Sequence, residues 1–213
     1  NKLSGLLLSP KNNIRTDLIF LHFHGSAQNL LTYHFPMIKQ LTEKGFQVFS
    51  FDYSGYGFSE GKATRQNVLN DAYSALDFIK KSNEFKNKKV IIFGQSYGGY
   101  LASVIGSNRQ NDIDGILIEG AFYSHRKEAI YTSNFLANIV HDGIRAEKEI
   151  KKNYKPILII HSKEDKRNPI EFGRKLFEES NQPKYFMEID KGHLDGLQYY
   201  GDSIKVKINE IFR

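Results

Sequence analysis

The sequence predicts an α/β fold, a mostly parallel, twisted sheet with helices on both faces. Three observations predict it. Short apolar runs alternate with helical stretches along the whole chain. The runs are rich in Ile, Val, Phe and Leu on both faces, as strands buried under helices must be. The chain has 213 residues, 40% hydrophobic and 25% charged, which suits one globular domain with one sizeable core.

The elements can be justified in order. Leu3–Leu8 is expected to pair at the sheet edge. Core strands follow at Leu18–Phe23, Gln47–Phe51, Lys89–Phe93, Gly115–Ile118, Ile157–Ile160 and Tyr185–Ile189. Between them, Leu30–Lys44 reads as a helix that stops at Gly45, a favourable C-terminal residue. Thr64–Lys81 carries Val68, Leu69, Ala72, Tyr73, Leu76 and Ile79 on one face, with Thr64 as N-cap. Tyr97–Gly106, Ile170–Glu179 and Ser203–Phe212 follow the same logic. Residues 1–213 are read as one domain with a small lid segment at about 123–155.

Composition narrows the function classes. The formal net charge is +6, but the basic runs at Lys86–Lys89 and Lys151-Lys152 do not interleave with aromatics. Nucleic-acid binding is therefore not expected. The charge is compatible with weak association with an anionic membrane surface or with acidic substrates. Cysteine is absent, which removes disulfides, thiolate zinc sites and cysteine nucleophiles together. No apolar run approaches the roughly 20 residues of a membrane span, and no signal peptide is visible. The expected location is the cytoplasm. The chain begins at Asn1 rather than Met, so a removed leader or anchor is compatible with it. Nothing in the sequence speaks to oligomeric state.

In parallel sheets, ligands bind at the carboxyl ends of the strands. The loops there read His24-Gly25-Ser26-Ala27-Gln28-Asn29, Asp52 to Gly61, Gly94-Gln95-Ser96-Tyr97-Gly98-Gly99, His161 to Asp165 and Asp190-Lys191-Gly192-His193. The third is decisive. A dinucleotide loop needs glycine where Ser96 stands, and a P-loop needs a Gly-Lys-Ser/Thr ending, which is missing. A G-x-S-x-G run between strand and helix instead matches a nucleophile elbow. The helix beginning at Tyr97 would offer free N–H groups where an oxyanion forms.

A serine hydroxyl needs a base. Of seven histidines, His193 is favoured because it follows the last strand beside Gly192. His22, His24 and His161 are expected to bond within the core or shape loops, and His34, His125 and His141 to be surface or lid residues. The acid that orients the base is expected to be Asp165, after the penultimate strand, with Glu164 as its local rival.

With these motifs in order, the chain resembles the α/β-hydrolases, and among them the Bem46-like and serine aminopeptidase-type (hydrolase_4) proteins. The resemblance runs from Leu3 to Phe212. It is carried by His24–Asn29, Asp52–Gly61, Gly94–Gly99, His161–Pro169 and Gly192-His193. It implies a catalytic triad of Ser96, Asp165 and His193, and an oxyanion hole made by the backbone N–H groups of Ser26 and Tyr97. It also makes Asp52–Gly61 a structural loop flanking the site. The chain departs from the family pattern at Ser162, where Gly is usual, and at Asn168, where Val is usual.

The expected activity is metal-free and cofactor-free serine hydrolysis of an ester or thioester in a small-molecule or acylated substrate. An aminopeptidase-like activity, with Glu119 holding the substrate amine, and a silent binding protein on the same fold are the alternatives. Ile130, Tyr131, Phe135 and Ile139 are the expected lid and acyl-pocket residues, with an ordinary helix packed on the core as the competing reading.

Overall fold

The computed structural model describes residues 1–11, 15–26, 29–133 and 139–213, without the side chains of Arg15 and Thr16. Seven strands form one sheet: β1 (Gly5–Leu8), β2 (Arg15–Phe23), β3 (Phe46–Phe51), β4 (Lys89–Gln95), β5 (Gly115–Glu119), β6 (Ile157–Ser162) and β7 (Lys184–Ile189). Their order is β1-β3-β2-β4-β5-β6-β7. Only β1 runs antiparallel, pairing Gly5 with Phe51 and Leu8 with Val48 at the sheet edge. The other neighbours are parallel.

The helices are α1 (Phe35–Glu43), α2 (Arg65–Lys81), α3 (Tyr97–Asn108), α4 (His125–Thr132), α5 (Ala146–Glu149), α6 (Ile170–Glu179) and α7 (Gly196–Ile211). Among the described residues no helix is long and apolar enough to cross a membrane. Thr64 caps α2, its side chain accepting the Asn67 N–H.

Strand alternation divides the core in two. Ile19, Leu21, Ile92, Ile116, Ile118 and Ile159 point to one face, where Leu76, Leu101 and Leu176 of α2, α3 and α6 cover them. Leu18, Phe20, Ile91, Phe93, Leu117 and Leu158 point to the other, under Ile38 and Leu41 of α1 and Ile204 and Ile208 of α7. Each large side chain removed from water contributes about 1.5–3 kcal/mol. The middle strands are therefore apolar over most of their length, with buried polar residues at their carboxyl ends, as at His22, Ser50 and Gln95.

Two elements differ from the sequence expectation. The helix expected at Leu30–Lys44 begins as a π-helical turn, Leu30–His34, before α1. The last helix starts at Gly196, not Ser203, and is kinked at Tyr200. Glycines at 196 and 201 weaken the local helix signal, while tertiary bonds hold the first turn in place.

The sheet has its topological switch between β2 and β4: from β2 the chain goes to β3 on one side, then returns to β4 on the other. The crevice at that point lies outside the carboxyl ends of β2 and β4, just where His24 and Ser96 follow. Ile92, fully buried in the centre of β4, tests the core. Ile92→Ala is expected to lower the unfolding free energy by about 2–5 kcal/mol in urea titration, with an unchanged slope.

Candidate active site

Ser96 stands alone between β4 and α3. Its backbone is left-handed, φ 54 and ψ −115, a conformation that costs a non-glycine residue about 1–3 kcal/mol. Three backbone bonds hold it there. Ser96 N–H donates to Glu119 O at 2.9 Å, and the Ser96 carbonyl accepts from Gly99 N–H at 2.9 Å and Tyr100 N–H at 3.2 Å. The flanking glycines let strand and helix close. A Cβ on Gly98 would stand 1.8 Å from the Phe23 carbonyl oxygen, and one on Gly94 2.2 Å from that of Gly98. Tyr97 N–H opens α3 and so has no intrahelical acceptor.

Behind the corner lies a row of buried polar contacts. Glu119, at the end of β5, is 2% exposed. One carboxylate oxygen accepts Gln95 Nε2–H at 2.8 Å, and the other accepts the Gly196 N–H at 2.7 Å. Since Gln95 donates to Glu119, its Oε1 faces His22 Nε2 at 3.1 Å as acceptor. That makes Nε2 the protonated nitrogen, so Nδ1 accepts from Ser50 Oγ at 2.8 Å. Burial first, then the neighbouring His34 and His24, keep His22 well below its ordinary pKa. Burial pushes the Glu119 carboxyl up, against the opposing pull of its Gln95 and Gly196 bonds. The row crosses β3, β2, β4 and β5 and ends on the first residue of α7.

Asp165 sits in the loop after β6. Its Oδ2 accepts from His193 Nδ1 at 2.6 Å. Its Oδ1 accepts the N–H groups of Arg167 at 2.9 Å and Asn168 at 2.8 Å. Burial acts to raise the Asp165 pKa, but the His193 bond, the His193 charge and the two amides outweigh it, and the net direction is down. Glu164, the rival acid, instead uses its N–H to reach Ser162 Oγ at 3.0 Å and stays exposed.

The two departures from the family pattern both tie this loop down. Asn168 is fully buried and donates to Gly120 O at 2.7 Å. Ser162 Oγ donates to the Lys191 carbonyl, joining the loop of the acid to that of His193. His161 Nε2–H donates to Asn168 O at 2.8 Å.

The loop after β2 is held from the Asp52–Gly61 side. Tyr53 O–H donates to His24 O at 3.0 Å, and Tyr56 O–H to Ser26 O at 3.3 Å. Asp52 Oδ1 accepts the Leu30 N–H at 2.8 Å. His24 Nδ1–H donates to Gly25 O at 2.6 Å. Ala27 and Gln28 lie outside the described residues. Ser26, His34, Ser96, Arg167, His193 and Leu194 line one cavity of about 230 Å³. The structure thus brings Ser96, His193 and Ser26 to a common space, with Asp165 behind His193. Among the described residues no hydrogen bond joins Ser96 Oγ to His193 Nε2. Such contacts commonly tighten only with substrate bound.

Several expectations change here. His34 is not a surface residue: it is fully buried, its ring 4.9 Å from that of His24, and it lines the Ser96 cavity. The π-helical turn places it inward, which a continuous helical reading misses. His125 packs among Tyr97, Tyr100 and Phe122 at ring distances of 5.6, 4.6 and 5.2 Å. Burial, with Arg65 nearby, brings its pKa down to about 4. Ile130, Tyr131 and Ile139 do not line the Ser96 cavity and are exposed, and Tyr131 packs on Phe172. Phe135 lies outside the described residues. Within the expected lid segment, Ala146 and Ile150 join the main core. Arg167, which the sequence reading did not single out, lines the cavity. Its one signal was its place two residues after Asp165.

Residues 15–134 match the family model described as serine aminopeptidase, S33. The chain belongs to this family. Among relatives, it is 30% identical over 193 residues to the uncharacterized protein YfhR of Escherichia coli strain K12, covering 88% of this chain. The chain spans 66% of the length of YfhR, just under two thirds. It is 30% identical to the lysophosphatidylserine lipase ABHD12 of Macaca fascicularis over 75% of this chain and 44% of that one. Among solved structures, Est1E of Butyrivibrio proteoclasticus with bound ferulic acid superposes with a TM-score of 0.81. The two are 19% identical, over 99% of this chain and 95% of that one. The fold is accordingly that of the α/β-hydrolases, and this S33 member keeps its polar loops at the same sheet edge.

Two predictions follow from this geometry. Gly98→Ala forces a Cβ against the β2 backbone and is expected to cost about 3 kcal/mol or more. A melting shift below about 2 °C would show that the corner gives way instead. The second concerns acid. Burial, then His34, hold His24 down at about 3, and His125 stands at about 4, against 6.5 for a free imidazole. Both folded pKa values are depressed, so their stabilisation is complete above about pH 6.5 and is lost as pH falls toward them. Each histidine is expected to remove roughly 1.4 kcal/mol per pH unit below that point. Urea midpoints between pH 7 and 4.5 should fall, and fall less steeply in His125→Phe.

Proposed function

We propose that this chain hydrolyses a carboxylic ester or thioester through an acyl-enzyme on Ser96. The observation that carries the reading is the 2.6 Å bond from His193 Nδ1 to Asp165, with His193 sharing the Ser96 cavity. Esterase- or lipase-like hydrolysis is also the reading that family membership and the lipase and esterase relatives support.

Asp165 holds the proton on Nδ1, so Nε2 is the basic nitrogen that faces the cavity. Ser96 Oγ attacks the carbonyl carbon while Nε2 takes its proton. The carbonyl oxygen becomes an oxyanion, which the N–H groups of Tyr97 and Ser26 bind at the positive end of α3. Collapse breaks the bond to the alcohol or thiol, which leaves with the proton from Nε2. Water then enters, gives its proton to the same nitrogen, and releases the acid and free Ser96.

The alternatives are less well supported. Glu119 is buried and both its oxygens are engaged, so it is not free to hold a substrate amine. A silent binding protein has no use for a strained Ser96 beside an oriented imidazole.

Ser96→Ala is expected to abolish labelling by a fluorophosphonate probe and to lower kcat on p-nitrophenyl esters by about 10⁴-fold or more. Equal labelling of wild type and variant would refute the nucleophile. Hydrolysis of aminoacyl amides but of no ester in a chain-length series would overturn the esterase reading.

A further inference from the structure

We infer that Arg167 selects substrates, and that this site takes esters carrying a carboxylate or phosphate group. The inference deepens the hydrolase reading above and rests on it. Arg167 lines the same cavity as Ser96 and His193. Its backbone is not free to drift: its N–H donates to Asp165 Oδ1 at 2.9 Å, so the residue is anchored to the carboxylate that holds His193. Its side chain is exposed, and the guanidinium forms no ion pair or hydrogen bond with any described residue.

Arg109, Arg145 and Arg174 behave differently. Arg109 reaches Asp77 at 2.7 Å and Asp112 at 2.6 Å, Arg174 reaches Glu188 at 2.8 Å, and Arg145 pairs with Glu147. The Arg109 and Arg174 pairs are partly exposed, and Arg145 reaches a buried Glu147. Arg167 is the one that stands at the reaction cavity with its five donors unspent.

The remaining charge around the cavity points the same way. The other lining residues include no carboxylate, no lysine and no second arginine, and the nearby Asp165 is turned to His193 and backbone amides. Glu128 on α4 is the acidic group that feels both Arg167 and His193, and it also feels Arg65. Glu128 divides its attraction between Arg167 and Arg65, and Asp165 is committed to His193 and backbone amides. A planar guanidinium with free forked donors suits a carboxylate or phosphate oxygen pair, which accepts two parallel bonds. A substrate amine would meet that charge unfavourably. Arg167 also lies on the acid loop, so an anion it holds is placed relative to the same loop that positions His193.

The test compares matched esters: mono-p-nitrophenyl glutarate against p-nitrophenyl hexanoate, and 4-acetoxybenzoate against its methyl ester. One pair carries the charge on the acyl side and the other on the alcohol side. The quantity read is the ratio of kcat/KM, anionic over neutral. Arg167→Gln is expected to lower that ratio about tenfold in at least one pair, mainly through KM for the anionic ester. Arg167→Lys should recover part of it. Raising NaCl should lower the ratio in wild type but not in Arg167→Gln. A ratio unchanged by Arg167→Gln in both pairs overturns the inference, and the cation is then an ordinary solvated one. If no ester is turned over, calorimetric titration with glutarate monoanilide separates the two readings. Binding lost in Arg167→Gln keeps the anion site and retires the hydrolase reading, while binding indifferent to Arg167, or none, overturns both.

Discussion

The buried carboxylate of Glu119 is the contact on which the geometry of the site depends. Its backbone carbonyl holds the strained Ser96 amide, and its side chain holds Gln95 of the preceding strand end and Gly196 at the start of α7. One residue therefore ties the serine corner to the helix that follows the His193 loop. Hydrogen bonds to a charged group contribute about 1.5–3 kcal/mol each, and leaving a buried partner unmade costs a similar amount. Such a residue fixes distance, because neither oxygen can be given up cheaply. The row continues through Gln95 to His22 and Ser50, so one chain of hydrogen bonds links the ends of four strands.

Close packing does the complementary work from the other side. The Ser96 turn is unfavourable alone and persists because the backbone of β2 and the first turn of α3 leave no other space. With glycine at 94 and 98, main-chain atoms sit where side chains would otherwise be. The loop after β2 is pressed from above by Tyr53 and Tyr56, and the acid loop is stitched by Asn168 and Ser162. Each loop is thus pinned to a neighbour by a contact that a single loop could not supply.

This distinction explains what could be read from the sequence. The strand runs, the Ser96 corner and the proximity of Asp165 to His193 were legible, because each is written in consecutive residues or in the order of strand ends. The inward turn of His34 was not, because a π-helical turn has the same composition as an α-helix and differs only in register. The aromatic setting of His125 and the clamp on Glu119 depend on which elements meet across the sheet. Ser162 and Asn168 read as departures from a pattern. Their value appears only once Lys191 and Gly120 are brought beside them. The early start of α7 was hidden for the same reason, since its first amide is satisfied by β5 and not by local sequence.

The same division separates chemistry from selection. Among the groups proposed to carry the reaction, the Asp165–His193 pair and the Ser96 backbone are held by bonds within the protein, so their positions are set before any substrate arrives. Arg167 has the opposite character: its backbone is held by Asp165, and the residue lines the cavity with a side chain that makes no ion pair among the described residues. Changing residue 167 leaves the Asp165 amide contact in place, because that contact is made by the main chain. If Arg167 selects substrates as proposed, a change there disturbs the imidazole little, whereas a change at Glu119 reaches the serine corner and α7 together.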